Sequence, residues 1–359
     1  MSLEPWIILF ATTALSIAIC VLLKPMAKYI GLLDHPNKRK VHKSPVPLVG
    51  GLAIYIALVL VIVLATPHGL NAFPLLIACG FMVITGMLDD LHELSPITRF
   101  IMQILACCIM IFASGVVLTD FGSLMWNGVF HLGWFSIPIT IFAALGVINA
   151  FNMMDGIDGL SSVIFIIAAL AMAWLALRAG HVFNAGILMI AVASALGFFL
   201  LNARLPWNKR ARVFLGDSGS IFLGLFLAWQ FIDLGNGDDR AFAPMTAVWL
   251  LAIPLLDTVR LMTQRWRSGK SSMEADQYHL HHAFLKAGFG VGVTAFLITL
   301  LILFTTIIGL TGQVRGWPEY LMFYGYIVFG LFYLYIMRRC WKDGRFLGRN
   351  VAPELPKQQ

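Results

Sequence analysis

Charge is what this chain has least of. Of its 359 residues, 12% are Asp, Glu, Lys or Arg and 59% are hydrophobic, with a mean hydropathy of +0.84. That balance excludes an ordinary soluble domain, in which about a quarter of residues are charged. Cysteine is sparse as well. Cys20, Cys79, Cys107, Cys108 and Cys340 show no metal-ligand spacing, and all but Cys340 fall within apolar runs, so they read as packing residues. Internal repeats and low-complexity tracts are missing, which excludes a solenoid. The longest polar stretches are about two dozen residues, too short to bury a core of their own. The first apolar run lacks a small-residue cleavage pattern and reads as a retained helix rather than a signal peptide.

What is present is a succession of apolar runs of helix length. Eleven spans are expected, near 5–24, 48–66, 73–88, 98–118, 134–150, 160–178, 185–202, 218–234, 244–263, 291–311 and 319–338. Runs of this length, rather than ten-residue alternation, exclude a β-barrel. The expected fold is an all-α polytopic membrane protein of about eleven transmembrane helices, with residues 1–359 forming one integral membrane domain.

Orientation follows from Lys and Arg. With residues 25–47 cytoplasmic, alternation puts the loops near 89–97, 151–159, 203–217 and 264–290 and the C-terminal tail on the same side. Only Arg178, Arg240 and Arg315 then fall on the other face. The positive-inside rule therefore sets the N-terminus outside and the C-terminus in the cytoplasm. The net charge of +7 is a topological signal and an attractor for anionic lipid, with no nucleic-acid footprint.

The acids sort to the same side as the bases. Asp34, Asp89, Asp90, Glu93, Asp155, Asp158, Asp217, Glu274 and Asp276 all map to the cytoplasmic face. Asp120, Asp238, Asp239 and Glu319 map outside and read as ordinary solvated loop residues. Carboxylates at a membrane edge call for a cation or a reaction.

Four elements carry chemistry. In GMLDDLHELS, the adjacent Asp89 and Asp90 repel unless a hard cation such as Mg²⁺ or a shared proton relieves them, though such a pair also closes helices. In NAFNMMDGIDGL, Asn149, Asn152, Asp155 and Asp158 recur every three residues, which on a helix aligns all four along one face, while Gly156 and Gly159 permit a tight turn. A polar helix seam is the competing reading, but it needs Asn more readily than ionised Asp. In VFLGDSGS, Asp217 opens the eighth span, where helix amides suit phosphate and the Asp can hold its metal or simply cap the helix. In RLMTQRWRSGKSSMEADQYHLHH, His279, His281 and His282 suit phosphate binding or acid–base work, and Arg265, Arg267 and Lys270 suit phosphate or a lipid headgroup. Zinc fits poorly because no Cys lies nearby and the other clusters offer oxygen.

These motifs, with GLLDHPNKRKVHKSPVPLVGG after the first span and AIPLLDTVR in the ninth, stand in one order over nearly the whole chain. The chain resembles the polyprenyl-phosphate N-acetylhexosamine 1-phosphate transferases, most closely the WecA-type branch, whose last motif is His-Leu-His-His-like rather than three consecutive histidines. Glu93 departs from the Asp expected there.

The resemblance implies transfer of N-acetylglucosamine 1-phosphate from UDP-N-acetylglucosamine to undecaprenyl phosphate, with release of UMP, at the cytoplasmic face of the bacterial inner membrane. The product would begin an envelope glycan such as O-antigen or common antigen. Mg²⁺ is the implied cofactor, with Mn²⁺ able to substitute, and a homodimer is compatible with the pattern. Asp217, Asp89 and Asp90 are the implied metal set, and Asp89 or Asp90 the implied base. Asn149, Asn152, Asp155 and Asp158 would bind nucleotide or diphosphate, and Arg265, His279, His281 and His282 phosphate or sugar. Asp34 and Lys43, with Lys24, Lys28 and the basic stretch to Lys43, would guide the lipid phosphate. The runner-up is the same reaction with another UDP-N-acetylhexosamine, such as a 6-deoxy sugar. An ion-coupled transporter should bind near the midplane rather than at one interface. The DG-x-x-A-R pattern of CDP-alcohol phosphotransferases is absent after Asp155, and a non-catalytic scaffold leaves the interfacial carboxylates unexplained.

Overall fold

The most deeply enclosed helix carries acids and an amide within its apolar run. In the computed structural model, which describes residues 4–36, 44–66, 69–125, 128–269 and 277–352, helix α8 (Gly216–Leu234) has 17 of its 19 residues buried. Around it stand α1 (Pro5–Ile30), α2 (Gly50–Ala65), α3 (Phe73–His92), α4 (Pro96–Ser114), α5 (Ser136–Met154), α6 (Leu160–Ala179) and α7 (Val182–Asn202). The chain continues through α9 (Pro244–Leu250), α10 (Ala252–Arg267), the short α11 (Leu280–Lys286), α12 (Val291–Val314) and α13 (Glu319–Asp343). Two short 3-10 turns (Gly69–Ala72 and Gly133–Phe135) and two small antiparallel pairs, β1 (Leu33–Asp34) with β2 (Val46–Pro47) and β3 (Arg345–Phe346) with β4 (Arg349–Asn350), complete the described elements.

Eight of these helices are long and apolar enough to cross a membrane, and nine are if the bent pair α9–α10 counts as one span. The protein is therefore an all-α polytopic membrane protein. The peripheral helices show it: α1 and α13 bury only 4 of 26 and 5 of 25 residues, and leave Phe10, Leu22 and Phe332 facing outward. Apolar side chains turned outward are stable only against lipid. The α8 sequence has Asp217 in its first turn and contains Gln230 and Asp233, so its apolar signal is diluted; protein, not lipid, surrounds it.

Each expected span falls on a helix, with one correction of shape. The run 244–263 is not continuous but bends by 79° at Leu251. Pro254 lacks an N–H, and its ring opposes the carbonyl four residues back, at Leu250, where α9 stops. Cys340, placed beyond the last span by its sequence, is also helical and buried in α13.

Glycine sets the spacing at one end of α8. A β-carbon on Gly51 of α2 would lie 2.2 Å from Gly219 N, and one on Gly86 of α3 would lie 2.3 Å from Ser218 Cα, so three helices meet backbone to backbone. The segment before α8 is held too: Gly50 N–H and Gly51 N–H donate to the carbonyls of Phe214 (2.9 Å) and Leu215 (3.0 Å), and Phe214 N–H donates to Pro47 (2.8 Å). The LVGG and VFLGDSGS motifs thus complete each other's main-chain hydrogen bonds.

Candidate active site

Gly86 lies one helical turn before Asp90, on the same face of α3, and its contact with α8 brings the Asp90 carboxylate onto that helix's first amides. Asp90 Oδ1 accepts from Asp217 N–H at 2.9 Å and Oδ2 from Ser218 N–H at 3.2 Å. The amides expected to be open to phosphate are therefore taken by a side chain from another helix. Asp89 is held separately. Its Oδ2 pairs with Arg99 Nη1 at 3.1 Å and its Oδ1 accepts from Leu94 N–H at 2.8 Å. The corner is tight because Glu93 closes α3 in the left-handed region (φ 50°) and Ser95 caps α4. Glu93 serves this turn with its backbone, and its side chain is exposed.

Asp217 is treated differently. Its Oδ1 accepts from Asn152 Nδ2 at 2.8 Å, the same amide group donating to Ser220 Oγ at 2.7 Å. No described residue donates to Oδ2. Asp217 acts electrostatically on Asp89, Asp90 and Asp155, so these carboxylates share one neighbourhood.

The expected single face from Asn149 to Asp158 is corrected. Helix α5 ends at Met154, before Gly156, and the chain turns through Gly159 (φ 85°) into α6. Asn149 remains on the helix, donating to Gln103 Oε1 at 2.9 Å and to the Leu145 carbonyl at 2.8 Å. Asp155 accepts from Ser161 Oγ at 2.7 Å, and Asp158 pairs with Arg204 Nε at 2.8 Å. Asn202 pins the turn by accepting from Gly159 N–H at 2.7 Å and donating to the Val213 carbonyl at 2.9 Å. Burial, aided by Asp217, Asp158 and Asp34, raises the Asp155 carboxyl from its ordinary 3.8 to about 7, against the lowering effect of the Ser161 hydrogen bond. Asp34, on β1, is thereby placed in reach of Asp155.

The histidines form a stack. The rings of His279 and His281 lie 5.3 Å apart at 10°, and those of His281 and His282 4.2 Å apart. A β-carbon at Gly156 would fall 2.3 Å from His281 Nε2, so that glycine admits the ring against the Asp155 turn. Neither ring nitrogen of His281 has a hydrogen-bond partner among the described residues. Burial, with His282 and His279 beside it, holds its imidazole well below the ordinary 6.5 and so neutral. Arg265 is buried in the last turn of α10. Lys43, Lys270, Glu274 and Asp276 lie outside the described residues.

Four residues without an expected role take part. Arg99 and Arg204 neutralise Asp89 and Asp158, and nothing in the sequence marks them out from anchoring residues. Asp257 and Arg260 were visible as an acid and a base three apart within a span, a pattern that points inward. At the other end of the protein, Asp120 and Glu319 are not solvated loop residues: Arg240 reaches Asp120 Oδ1 at 3.5 Å and Glu319 Oε1 at 3.0 Å, and Asp120 is buried.

The expected metal residues lie close together without forming a cage. Among the described residues, no three His, Cys, Asp or Glu side chains are assembled as a cage. Asp90 accepts two α8 amides and Asp89 is paired with Arg99, whereas Asp217 Oδ2 meets no donor among the described residues. An oxygen-rich neighbourhood of this kind suits Mg²⁺, which binds through one or two carboxylates and completes its shell with water and phosphate.

Residues 72–235, from the start of α3 to the end of α8, match the family described as Glycosyl transferase family 4. A Yersinia pestis protein named undecaprenyl-phosphate alpha-N-acetylglucosaminyl 1-phosphate transferase is 35% identical over 336 residues, 93% of this chain and 92% of its own. The chain belongs to glycosyl transferase family 4. Proteins of the same name from Escherichia coli strain K12 and Haemophilus influenzae are 32% and 30% identical, across 96% and 92% of this chain and 92% and 93% of theirs. The likeness read from the motifs is upheld, and the chain is a glycosyl transferase family 4 enzyme of the sugar-1-phosphate-transferring kind.

Proposed function

We propose that this enzyme transfers N-acetylglucosamine 1-phosphate from UDP-N-acetylglucosamine to undecaprenyl phosphate in the bacterial inner membrane, at the cytoplasmic face, to begin a lipid-linked envelope glycan. The observation that carries this is the convergence of Asp89, Asp90, Asn152, Asp155 and Asp217, from distant motifs, at one end of α8. The relatives' names supply donor sugar and acceptor. Eleven crossings, with the N-terminus outside, follow if α2, α8 and the bent α9–α10 pair each count as one; the Lys and Arg distribution sets the sign.

The lipid phosphate oxygen attacks the sugar-bearing phosphorus, a new P–O bond forms, and the diphosphate P–O bond to UMP breaks. Much of a phosphate monoester is already dianionic near neutral pH, so a base contributes little to the attack. Asp90 anchors the end of α8, and Asn152 aims Asp217. Asp217 is the residue that would hold Mg²⁺, which when bound neutralises the diphosphate and the charge that builds up in transfer. Asp155 and Asp158 line the turn against which the histidine stack closes, and His279, His282 and Arg265 engage phosphate or sugar.

Purified enzyme with undecaprenyl phosphate, Mg²⁺ and a panel of UDP-sugars tests the reading. UMP release with UDP-N-acetylglucosamine is expected. Release only with a 6-deoxy N-acetylhexosamine would change the donor, and uptake of a solute without UMP release would favour a transporter. For topology, cysteines at Ser44 and Lys209 should resist an impermeant reagent in intact cells, and one at Asp238 should label. The reverse pattern would put the site on the wrong side for a cytosolic nucleotide sugar.

A further inference from the structure

Asp257 is 0% exposed, the most deeply buried carboxylate among the described residues, and everything around it donates. Its Oδ1 faces the helices: Arg260 Nη2 lies 2.9 Å away and the Tyr333 hydroxyl of α13 donates at 2.7 Å. Its Oδ2 faces the histidine loop: His279 Nδ1 lies 3.0 Å away, and Leu280 N–H, the first amide of α11, donates at 3.3 Å. An acceptor ringed by donors requires the His279 proton on Nδ1, so Nε2 is the ring nitrogen that accepts from a sugar hydroxyl or amide N–H, or donates to phosphate once the ring takes a second proton. A buried acid–base pair kept only for stability would need Arg260 alone, and an apolar pair of the same volume would serve as well. Here half of the carboxylate is spent on the loop. The contact then passes through the His279–His281 stack to Gly156 and the Asp155 turn.

We propose that Asp257 is a positioning residue for sugar 1-phosphate transfer: by holding Nδ1 of His279 and the first amide of α11 against α10 and α13, it presents Nε2 of His279 to the substrate. This rests on the reading that the histidine loop serves the transfer. Arg260 and Tyr333 act one step further back, fixing Asp257 itself, and the Arg260 guanidinium also donates to the Tyr278 carbonyl at the loop's edge.

The test compares Asp257→Asn, His279→Ala and the double variant, purified in detergent, by UMP release at matched enzyme and by thermal midpoint. An amide in place of the carboxylate cannot accept on both sides, so Asp257→Asn should lower transfer by about thirtyfold or more. Because it acts through His279, the double variant should fall no more than about twofold below His279→Ala. The thermal midpoint of the double should nevertheless drop below that of His279→Ala, since the buried Arg260 loses its counter-ion either way. Near-normal transfer by Asp257→Asn, or losses that multiply in the double, would overturn the inference. Should Asp257→Asn not accumulate in the membrane, Tyr333→Phe replaces it: a severalfold loss that disappears in the His279→Ala background supports the inference, and unchanged transfer overturns it. A silent His279→Ala would sink the reading of the loop and Asp257 with it, whereas a crippled His279→Ala beside silent Asp257→Asn and Tyr333→Phe variants would sink the inference alone.

Discussion

Asp217 and Asp257 are both helix aspartates drawn from family motifs, yet one stands among carboxylates with an oxygen to spare and the other is fully bonded by a guanidinium, a phenol, an imidazole and an amide. The surroundings assign different work. A carboxylate with like charges beside it is unfavourable until a cation or a polar ligand arrives, which is the condition of a binding site. A carboxylate saturated by donors has nothing left to bind and can only hold its partners in place. Asp90 falls between the two: both of its oxygens accept α8 amides, yet it stands among the same like charges as Asp217.

The largest test of the contrast is removal of charge at the unsaturated site. Asp217→Asn should reduce UMP release by about a hundredfold or more, and EDTA should abolish wild-type transfer until Mg²⁺ or Mn²⁺ is restored. A folded Asp217→Asn enzyme with near-normal turnover would take this residue out of metal binding and erase the distinction drawn between it and Asp257.

On the histidine side, Arg265→Ala should lower transfer by about tenfold to a hundredfold, and Arg265→Lys should recover little, because a guanidinium forks onto oxygens where an ammonium cannot. Wild-type turnover by Arg265→Lys would reduce this residue to a membrane anchor. The two sides touch at Gly156, where an added methyl would meet the His281 ring. Gly156→Ala should cost about tenfold in transfer by parting the stack from the Asp155 turn. If it transfers like wild type at normal thermal stability, the sites are not coupled there.

The smallest effect is on stability against pH, and its sign differs between the sides. The folded chain holds a proton on Asp155 up to about pH 7, above the ordinary 3.8, so that stabilising contribution is lost as pH rises through 7. His281 is held neutral well below 6.5, so its contribution is lost as pH falls below 6.5, where the unfolded chain takes up the proton first. From Asp155 the thermal midpoint of metal-free enzyme should decline between about pH 4 and pH 7 and level off above, Asp155→Asn should flatten that decline, and Mg²⁺ should raise the midpoint more at pH 8 than at pH 6. Equal Mg²⁺ effects at both would separate Asp155 from the metal's surroundings.

Much of this was legible in the chain. A run of about twenty apolar residues can satisfy its backbone in a bilayer only as a helix, so every expected span lies on one. The end of α5 was half legible: Gly156 and Gly159 marked a turn, but a three-residue rhythm across them suggested a helical face that the turn breaks. Asp120 and Glu319 were misread because a loop acid looks the same in sequence whether it is solvated or locked onto Arg240.

Hydropathy and local spacing are properties of neighbouring residues, so the sequence by itself determined the membrane class, the helices and the side chains available for phosphate chemistry. Which aspartate is bonded shut and which is open depends on partners far along the chain: Asp90 meets Asp217 across 127 positions, Asn152 meets Asp217 across 65, and Asp257 meets Tyr333 across 76. Those pairings arise only when α2, α3 and α8 close on their glycines and α10 and α13 enclose Asp257, and packing of that kind has no local signature. The tertiary structure alone therefore decided that one Asp217 oxygen meets no donor among the described residues and that Asp257 holds the histidine loop.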